Sequence, residues 1–263
     1  MTEILRYEGR QRVRGSVLVT IGFVLVAGLY VGLFPSVEQS GVDFEQFLES
    51  APEAAQSAFA VGNLNTIEGF LAVELYQFVW ILLLGVYVAY SGGGLIAAGI
   101  EQGRIDMLLA TPISRRRIVL EKYLSLLVPI VVANLFVPIA VALGVGAIGE
   151  TISLVDLYAV HLLSIPYLLC CGGIGLVMSV AVDRPSIAQR GGLLAVFGLF
   201  LVETIASSAG VDWLGGVSPT RYYDPAEILV EGTYDVAGAL ILLSGAVALL
   251  VVASAYFEAR DVN

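Results

Sequence analysis

Residues 101–122 read EQGRIDMLLATPISRRRIVLEK, and two of the longest apolar segments of the chain flank them. This stretch, called the basic stretch below, contains five of the 13 Lys and Arg residues. Within residues 101–110, Ile105, Leu108 and Leu109 recur at helical spacing, while the charged side chains occupy other faces. The pattern predicts a short amphipathic helix that lies on a membrane surface.

The second half of the basic stretch begins at a proline. Thr111 precedes Pro112, and a residue before proline is disfavoured in helical geometry, so the amphipathic helix is expected to end there. Ser114 is then in place to cap a new helix. That helix opens with three arginines, includes Lys122 and continues into the following apolar segment. The basic stretch therefore predicts two helices joined by a turn.

Composition indicates that most of the chain lies within a membrane. Of the 263 residues, 58% are hydrophobic and only 14% are charged, whereas a soluble domain carries about 25% charged residues. Six apolar segments are each long enough for a membrane span, which takes about 20 residues. We expect an all-α integral membrane protein that forms one domain over residues 1–263. Its predicted spans are residues 16–34, 70–98, 123–147, 157–182, 191–209 and 236–257.

Glycines and prolines predict where the spans bend or end. Pro35 is expected to end the first span, because proline has no N–H for the helical ladder. The glycines at 92–94 permit a bend or a close helix contact near the end of the second span. Pro129 and Pro138 are expected to kink the third span.

Basic residues predict the orientation. With the N-terminus in the cytoplasm, the inner segments hold 12 of the 13 Lys and Arg residues, and Arg221 is the only outer base. Because cytoplasmic loops are enriched in Lys and Arg, both termini and the basic stretch are expected in the cytoplasm. The net charge of −10 suits a high-salt environment, and we expect a protein of a prokaryotic plasma membrane.

The connections between spans also contain helix signals. Residues 218–232 read SPTRYYDPAEILVEG, in which Asp224 is expected to cap a short outer helix that Gly232 ends. Residues 183–190 are expected to form a polar link. Two pairs at capping-box spacing predict short outer helices between the first and second spans: Asp43 with Gln46, and Ser50 with Glu53.

The basic stretch closely resembles the signature of the membrane subunits of type-2 ABC exporters, a family that includes permeases of the copper-enzyme-maturation type. In that family a coupling helix that starts with Glu is followed by a Thr-Pro turn and a basic residue at the start of the third span. The six-span layout extends the resemblance to nearly the whole chain, while Arg104 and Asp106 depart from the common pattern. The matching residues are Glu101, Gly103, Leu108, Leu109, Ala110, Thr111, Pro112, Ser114, Arg115 and Lys122.

The resemblance implies a permease subunit of an ATP-driven ABC transporter that works as an exporter. A separate cytoplasmic ATPase subunit would receive the coupling helix, and a second permease subunit, identical or related, would complete the transporter. No G-x-x-x-x-G-K-S/T motif occurs in this chain, so ATP and Mg²⁺ are expected on the partner and no cofactor on this chain. The implied ATPase interface is Glu101, Gly103, Arg104, Leu108, Leu109, Thr111, Pro112, Ser114, Arg115 and Arg116.

The family often has an S-P-x-x-Y/F-x-P segment at the outer mouth, between the fifth and sixth spans. The corresponding outer gate residues here are Pro219, Arg221, Tyr222 and Asp224. Arg221 is expected to pair with Asp224 or a neighbouring carboxylate. Glu203 is a candidate for the substrate pathway, because ionisable groups deep in a span usually face the bundle interior. Glu74, nearer a span end, is a weaker candidate.

Two other classes of function compete with transport. A membrane hydrolase would need a Ser–His pair or a metal cluster at one depth. The chain has one histidine, His161, and no G-x-S-x-G or H-E-x-x-H motif, so we expect no enzyme, catalytic residue or metal site. His161 is interpreted as a hydrogen-bonding residue near the outer boundary, and Cys170 and Cys171 as packing residues. The alternative is a membrane anchor or assembly factor that binds a partner complex without transporting a free substrate.

Overall fold

The computed structural model describes residues 3–39 and 65–260. Within these residues every regular element is helical and none is a strand. Six of their helices are long and apolar enough to cross a membrane, so the all-α, six-span prediction is confirmed. Spans 1 to 6 are Glu3–Gln39, Ile67–Glu101, Arg115–Ala147, Leu154–Ala181, Pro185–Ser207 and Val236–Ala259. The outer helices predicted at Asp43 and Ser50 lie outside the described residues.

Span 1 is longer than predicted at both ends. The polar N-terminal residues are helical from Glu3, and Pro35 lies inside the helix instead of ending it. Proline lacks the N–H that would bond to the carbonyl of Val31. However, Val31 and Phe34 are both buried, and the ring of Phe34 lies 5.7 Å from that of Phe70 in span 2. Tertiary packing therefore keeps the chain helical past the proline.

Span 2 is built from several kinds of helix. The bend expected at glycines 92–94 is confirmed, because a turn there separates two helical pieces. The N–H groups of Ile96 and Ala97 donate to Oγ of Ser179 in span 4 at 2.9 and 3.1 Å, so the donors at the bend are satisfied. No sequence signal predicted the π-helix. The pieces in order are Ile67–Leu71, the π-helix Ala72–Leu84, Gly85–Gly93 and Ala97–Glu101.

Prolines shape spans 3 and 5 in different ways. Span 3 consists of two helices, Arg115–Leu124 and Leu127–Ala147. Pro129 lacks the N–H that would bond to the carbonyl of Ser125, and the break between the two helices lies one turn before it. Pro138, the second predicted kink site, lies inside the continuous helix Leu127–Ala147. Span 5 starts at Pro185, and residues 185–190 are therefore helical, contrary to the predicted polar link. Proline is favoured at the first position of a helix, where no N–H partner is needed.

Spans 2 and 4 are the most buried and form the centre of the bundle. Glycines bring their backbones into contact. A Cβ atom added at Gly92 would lie 2.4 Å from the carbonyl oxygen of Gly172, and one at Gly175 would lie 2.0 Å from that of Ala89. Span 1 packs along span 3, and span 6 packs along span 4. Small residues at the contact thus allow the backbones of spans 2 and 4 to pack directly against each other.

Candidate functional site

The basic stretch forms two helices beyond the end of span 2. Gly103 has φ of +65° and reverses the chain before the helix Arg104–Leu109. One continuous helix over residues 101–110 was therefore a wrong prediction, because positive φ interrupts a right-handed helix and glycine adopts it readily. The predicted end before Pro112 is confirmed. The predicted cap is confirmed as well, since Oγ of Ser114 accepts a hydrogen bond from the N–H of Arg117 at 3.4 Å.

The Arg104–Leu109 helix is buried on one face and exposed on the other. Ile105 is fully buried and packs on the end of span 2, where a Cβ added at Gly99 would lie 2.8 Å from its Cγ1. Met107, by contrast, is 65% exposed. Thr111 and Pro112 are exposed too. We call Met107, Thr111 and Pro112 the exposed ridge. Glu101 is also exposed, and Gly103, Arg104, Leu108, Leu109 and Ser114 are half-buried or exposed.

Two arginines expected at a partner interface contact the end of span 6 within the chain. Arg115 Nη1 donates to the carbonyl oxygen of Phe257 at 3.0 Å and to that of Arg260. Its guanidinium also lies 5.5 Å from the centre of the Phe257 ring. Arg116 pairs with Glu258 at 2.8 Å, but 72% of its side chain is exposed. Arg115 therefore neutralises helix C-terminal carbonyls, whereas Arg116 also presents its side chain to solvent.

Substitution of these two neighbours is expected to have unequal effects on stability. Arg115→Gln removes charge-assisted hydrogen bonds to the end of span 6, which should lower the free energy of unfolding by about 1.5–3 kcal/mol. Arg116→Gln breaks a solvent-exposed ion pair and should cost at most about 1 kcal/mol. Thermal unfolding of the purified variants measures the difference. Equal losses for the two variants would contradict the anchoring role of Arg115.

A second set of contacts joins the N-terminal part of span 1 to the basic stretch. Nζ of Lys122 pairs with Glu8, and both side chains are largely buried. The N–H of Leu5 donates to Oε2 of Glu121 at 3.1 Å. One turn beyond Glu8 in span 1, Arg12 Nε donates to Oγ of Ser125 at 2.9 Å. We did not predict these partners from the sequence, although a single lysine at the edge of an apolar span suggests a buried carboxylate nearby.

These contacts place Leu5 and Arg260, near the two ends of the described residues, on the same side of the bundle as the basic stretch. Leu5 is bonded to Glu121, and Arg260 is bonded to Arg115. Arg260 in turn donates to the carbonyl oxygen of Val180 at 2.6 Å, at the end of span 4. The ends of spans 1, 3, 4 and 6 are thus connected by side chains at this one surface.

At the opposite end of the bundle, the connection between spans 5 and 6 contains the predicted outer gate residues. The buried Pro219 opens a short 3₁₀ helix, Pro219–Tyr222, and the hydroxyl of Tyr222 donates to the carbonyl of Gly216 at 2.8 Å. Asp224 caps the helix Pro225–Leu229, with Oδ1 accepting from the N–H of Ala226 at 2.8 Å, so the predicted cap is confirmed.

The outer helix ends earlier than predicted. It stops at Leu229, whereas Gly232 was expected to end it. Gly232 has φ of +65° and turns the chain three residues later. The N–H of Thr233 then bonds back to the carbonyl oxygen of Glu227 at 2.9 Å, which closes the loop on the helix.

Glu203 and Arg221 lie beside the same glycine. A Cβ added at Gly215 would lie 2.5 Å from Oε2 of Glu203 and 3.1 Å from Nη1 of Arg221. The carboxylate of Glu203 thus lies against the connection between spans 5 and 6, beside Arg221, which was predicted to be the only outer base. Glu74 lies in the first turn of the π-helix and is half-buried. A role for either glutamate in a substrate pathway stays a prediction.

His161 makes the hydrogen bond expected of it. Its side chain is fully buried, with Nε2 3.0 Å from the hydroxyl of Tyr76 and its ring 4.5 Å from that of Trp80. It therefore packs inside the helix bundle, and its depth relative to the membrane boundary stays a prediction. Cys170 and Cys171 are buried free thiols. Among the described residues no group of three or more His, Cys, Asp or Glu side chains is arranged to hold a metal ion.

The architecture agrees with a comparison to known protein families. The family model described as "ABC-2 family transporter protein" matches residues 2–262, nearly the whole chain. No curated protein is significantly similar to it in sequence. The six candidate membrane spans agree with a membrane-embedded permease, and the family implies an ABC ATPase as partner. The chain belongs to the ABC-2 family of transporter proteins and is a membrane-embedded permease component of an ABC transporter.

Proposed function

We propose that this chain is the permease subunit of an ATP-driven exporter and that its exposed ridge docks on a separate cytoplasmic ATPase subunit. Docking at the ridge is supported by one observation: the ridge is exposed to solvent, while the helix that carries it is packed firmly against span 2. Met107 is 65% exposed, while Ile105, two residues before it, is fully buried. A partner can therefore bind the ridge without the permease having to unfold.

The attachment of the ridge gives a route for transmitted motion. On one side Ile105 packs on Gly99 at the end of span 2. On the other side Ser114 caps the first helix of span 3. Span 2 in turn touches span 4 through backbone contacts at Gly92 and Gly175. Because packed helices move as rigid units, displacement of the ridge by an ATPase would shift these spans together.

Other parts of the proposal follow from family membership and charge. ATP and Mg²⁺ bind to the partner subunit, and this chain carries neither a cofactor nor a catalytic residue. A second permease subunit, identical or related, completes the translocation path. The distribution of basic residues, 12 of 13 on one side, supports a cytoplasmic ridge and cytoplasmic termini in a prokaryotic plasma membrane. Export is the direction expected for this family.

Met107→Asp is expected to weaken binding of the ATPase subunit by at least about tenfold, because it places a charge at the centre of an apolar contact. Met107 is exposed in the isolated permease, so the fold should tolerate the change. Co-purification of the two subunits and ATP hydrolysis in the complex are the measurements.

A matched control is Tyr256→Asp. Tyr256 is also a large exposed side chain, 49% accessible, near the end of span 6 but outside the ridge. The Tyr256→Asp substitution should leave binding of the ATPase subunit unchanged. Normal association of the Met107→Asp permease with the ATPase would show that docking occurs elsewhere. If the ATPase binds but reconstituted vesicles transport nothing on ATP addition, the membrane-anchor alternative is favoured.

A further inference from the structure

The structure contains a polar cavity where span 1, the end of span 2 and the basic stretch meet. Its volume is about 240 Å³, and most of its accessible lining is polar. The charged residues that line it are Glu8, Arg12, Arg104 and Lys122. The residues of the exposed ridge, Met107, Thr111 and Pro112, do not line it. The cavity is therefore a separate feature of the same membrane side.

Positive charge exceeds negative charge in this cavity. Glu8 is the only carboxylate in its lining, and it pairs with Lys122. Glu8 also lies close enough to Arg12 to interact with its charge, but one carboxylate faces three cations, so the lining carries a net positive charge. Arg12 donates through Nε to the neutral Oγ of Ser125, and Arg104 donates to the neutral amide oxygen of Gln102. Two half-buried cations at one cavity attract an anion strongly, because solvent screens them incompletely.

Arg104 also has an unsatisfied donor. Its Nε is inaccessible to solvent and has no hydrogen-bond partner among the described residues. A buried charged donor without an acceptor is destabilising, and native structures nearly always satisfy such groups. A bound acceptor in the cavity would remove this penalty.

We propose that the cavity binds a phosphate group between Arg12 and Arg104. Guanidinium groups bind phosphate through paired N–H donors, and two of them converge on this space. The phosphate group comes either from an anionic lipid or from a soluble phosphate. A bound phosphate would connect the first span, the end of the second span and the Arg104–Leu109 helix, and so would stiffen the support of the exposed ridge.

The surroundings suit an amphiphilic ligand. An adjoining groove of about 450 Å³ shares Glu8, Arg104 and Lys122 with the cavity and has a mainly apolar lining. A lipid would place its phosphate in the polar cavity and apolar atoms in the groove. Free phosphate would occupy the cavity alone, so the two sources can be separated by experiment.

The test uses the purified, delipidated full-length permease at constant ionic strength. Two probes are titrated separately: phosphatidylglycerol, followed by native mass spectrometry, and inorganic phosphate, followed by equilibrium dialysis. We expect saturable binding of one phosphate group per chain. Arg12→Gln combined with Arg104→Gln should weaken it by at least about tenfold, since two charge-assisted contacts are lost. Binding of phosphatidylglycerol alone identifies a lipid site, and binding of inorganic phosphate as well identifies a site open to soluble phosphates.

Arg10→Gln is the matched control, because it removes the same charge from an exposed position of the same helix. It should change the affinity less than about twofold, since screened surface charges contribute little. If the double variant does not fold, the same binding measurements are made on the Arg104→Gln single variant. The proposal is overturned if neither probe binds the wild-type protein, if the Arg12 and Arg104 variants bind as well as wild type, or if Arg10→Gln weakens binding equally.

Discussion

Gly175→Ala is expected to destabilise the bundle severely, because the added methyl group would collide with backbone atoms. The new Cβ would lie 2.0 Å from the carbonyl oxygen of Ala89 and 2.9 Å from the backbone N of Gly93. Both atoms belong to the backbone of span 2, so no side chain can rotate away. Overpacking usually costs about 1–3 kcal/mol, and a backbone obstacle puts this variant at about 3 kcal/mol or more. Thermal unfolding in detergent and the yield of membrane-inserted protein measure the loss.

Gly146→Ala is the control for this variant. Gly146 lies in span 3, and a Cβ added there meets no atom within 4 Å. Because alanine is the better helix former, that change should leave stability equal or slightly higher. If both variants unfold at the same temperature, spans 2 and 4 do not depend on backbone contact at Gly175.

Lys122→Met is expected to lower the free energy of unfolding by about 3 kcal/mol, because loss of one partner leaves a buried charge uncompensated. Only 7% of the Lys122 side chain and 14% of the Glu8 side chain are exposed. The N-terminal part of span 1 should loosen first, since Glu8 holds it against span 3. Thermal unfolding gives the total loss, and hydrogen exchange of residues 3–15 shows where it occurs.

A double variant separates the ion pair from simple packing. Glu8→Leu combined with Lys122→Met removes both charges and leaves apolar side chains in contact. Replacement of a buried pair by apolar residues is often neutral or stabilising, so the double variant should be more stable than Lys122→Met. A double variant that is less stable than Lys122→Met would mean that Glu8 contributes mainly through other contacts.

Local sequence signals predicted those elements whose partners lie within a few residues. Ser114 and Asp224 cap the helices that follow them, as their spacing indicated. The bend at glycines 92–94 was predicted as well. A cap or a glycine turn depends on backbone groups three or four positions away, so the sequence contains all the required information.

Predictions failed where distant residues competed with a local preference. Pro35 was expected to end span 1, but burial of Phe34 against span 2 keeps the helix intact. Arg115 was assigned to a partner interface by resemblance, and this assignment stays a prediction; what the sequence did not predict is its contact with the carbonyls at the end of span 6. Its sequence neighbours do not reveal that contact, because the two residues are far apart in the chain and meet only in the folded bundle.

The sequence by itself determined the class of the protein, its six spans and, through the basic stretch, its resemblance to ABC permeases. The lengths of the apolar segments and the distribution of charges suffice to predict these features, since the transfer of each segment into a membrane depends mainly on its own residues. The tertiary structure alone decided which helices form the centre, which arginines are bonded within the chain, and where Glu8, Arg12 and Lys122 meet. Those features depend on packing and charge pairing between segments that are distant in sequence, and one-dimensional patterns do not contain them.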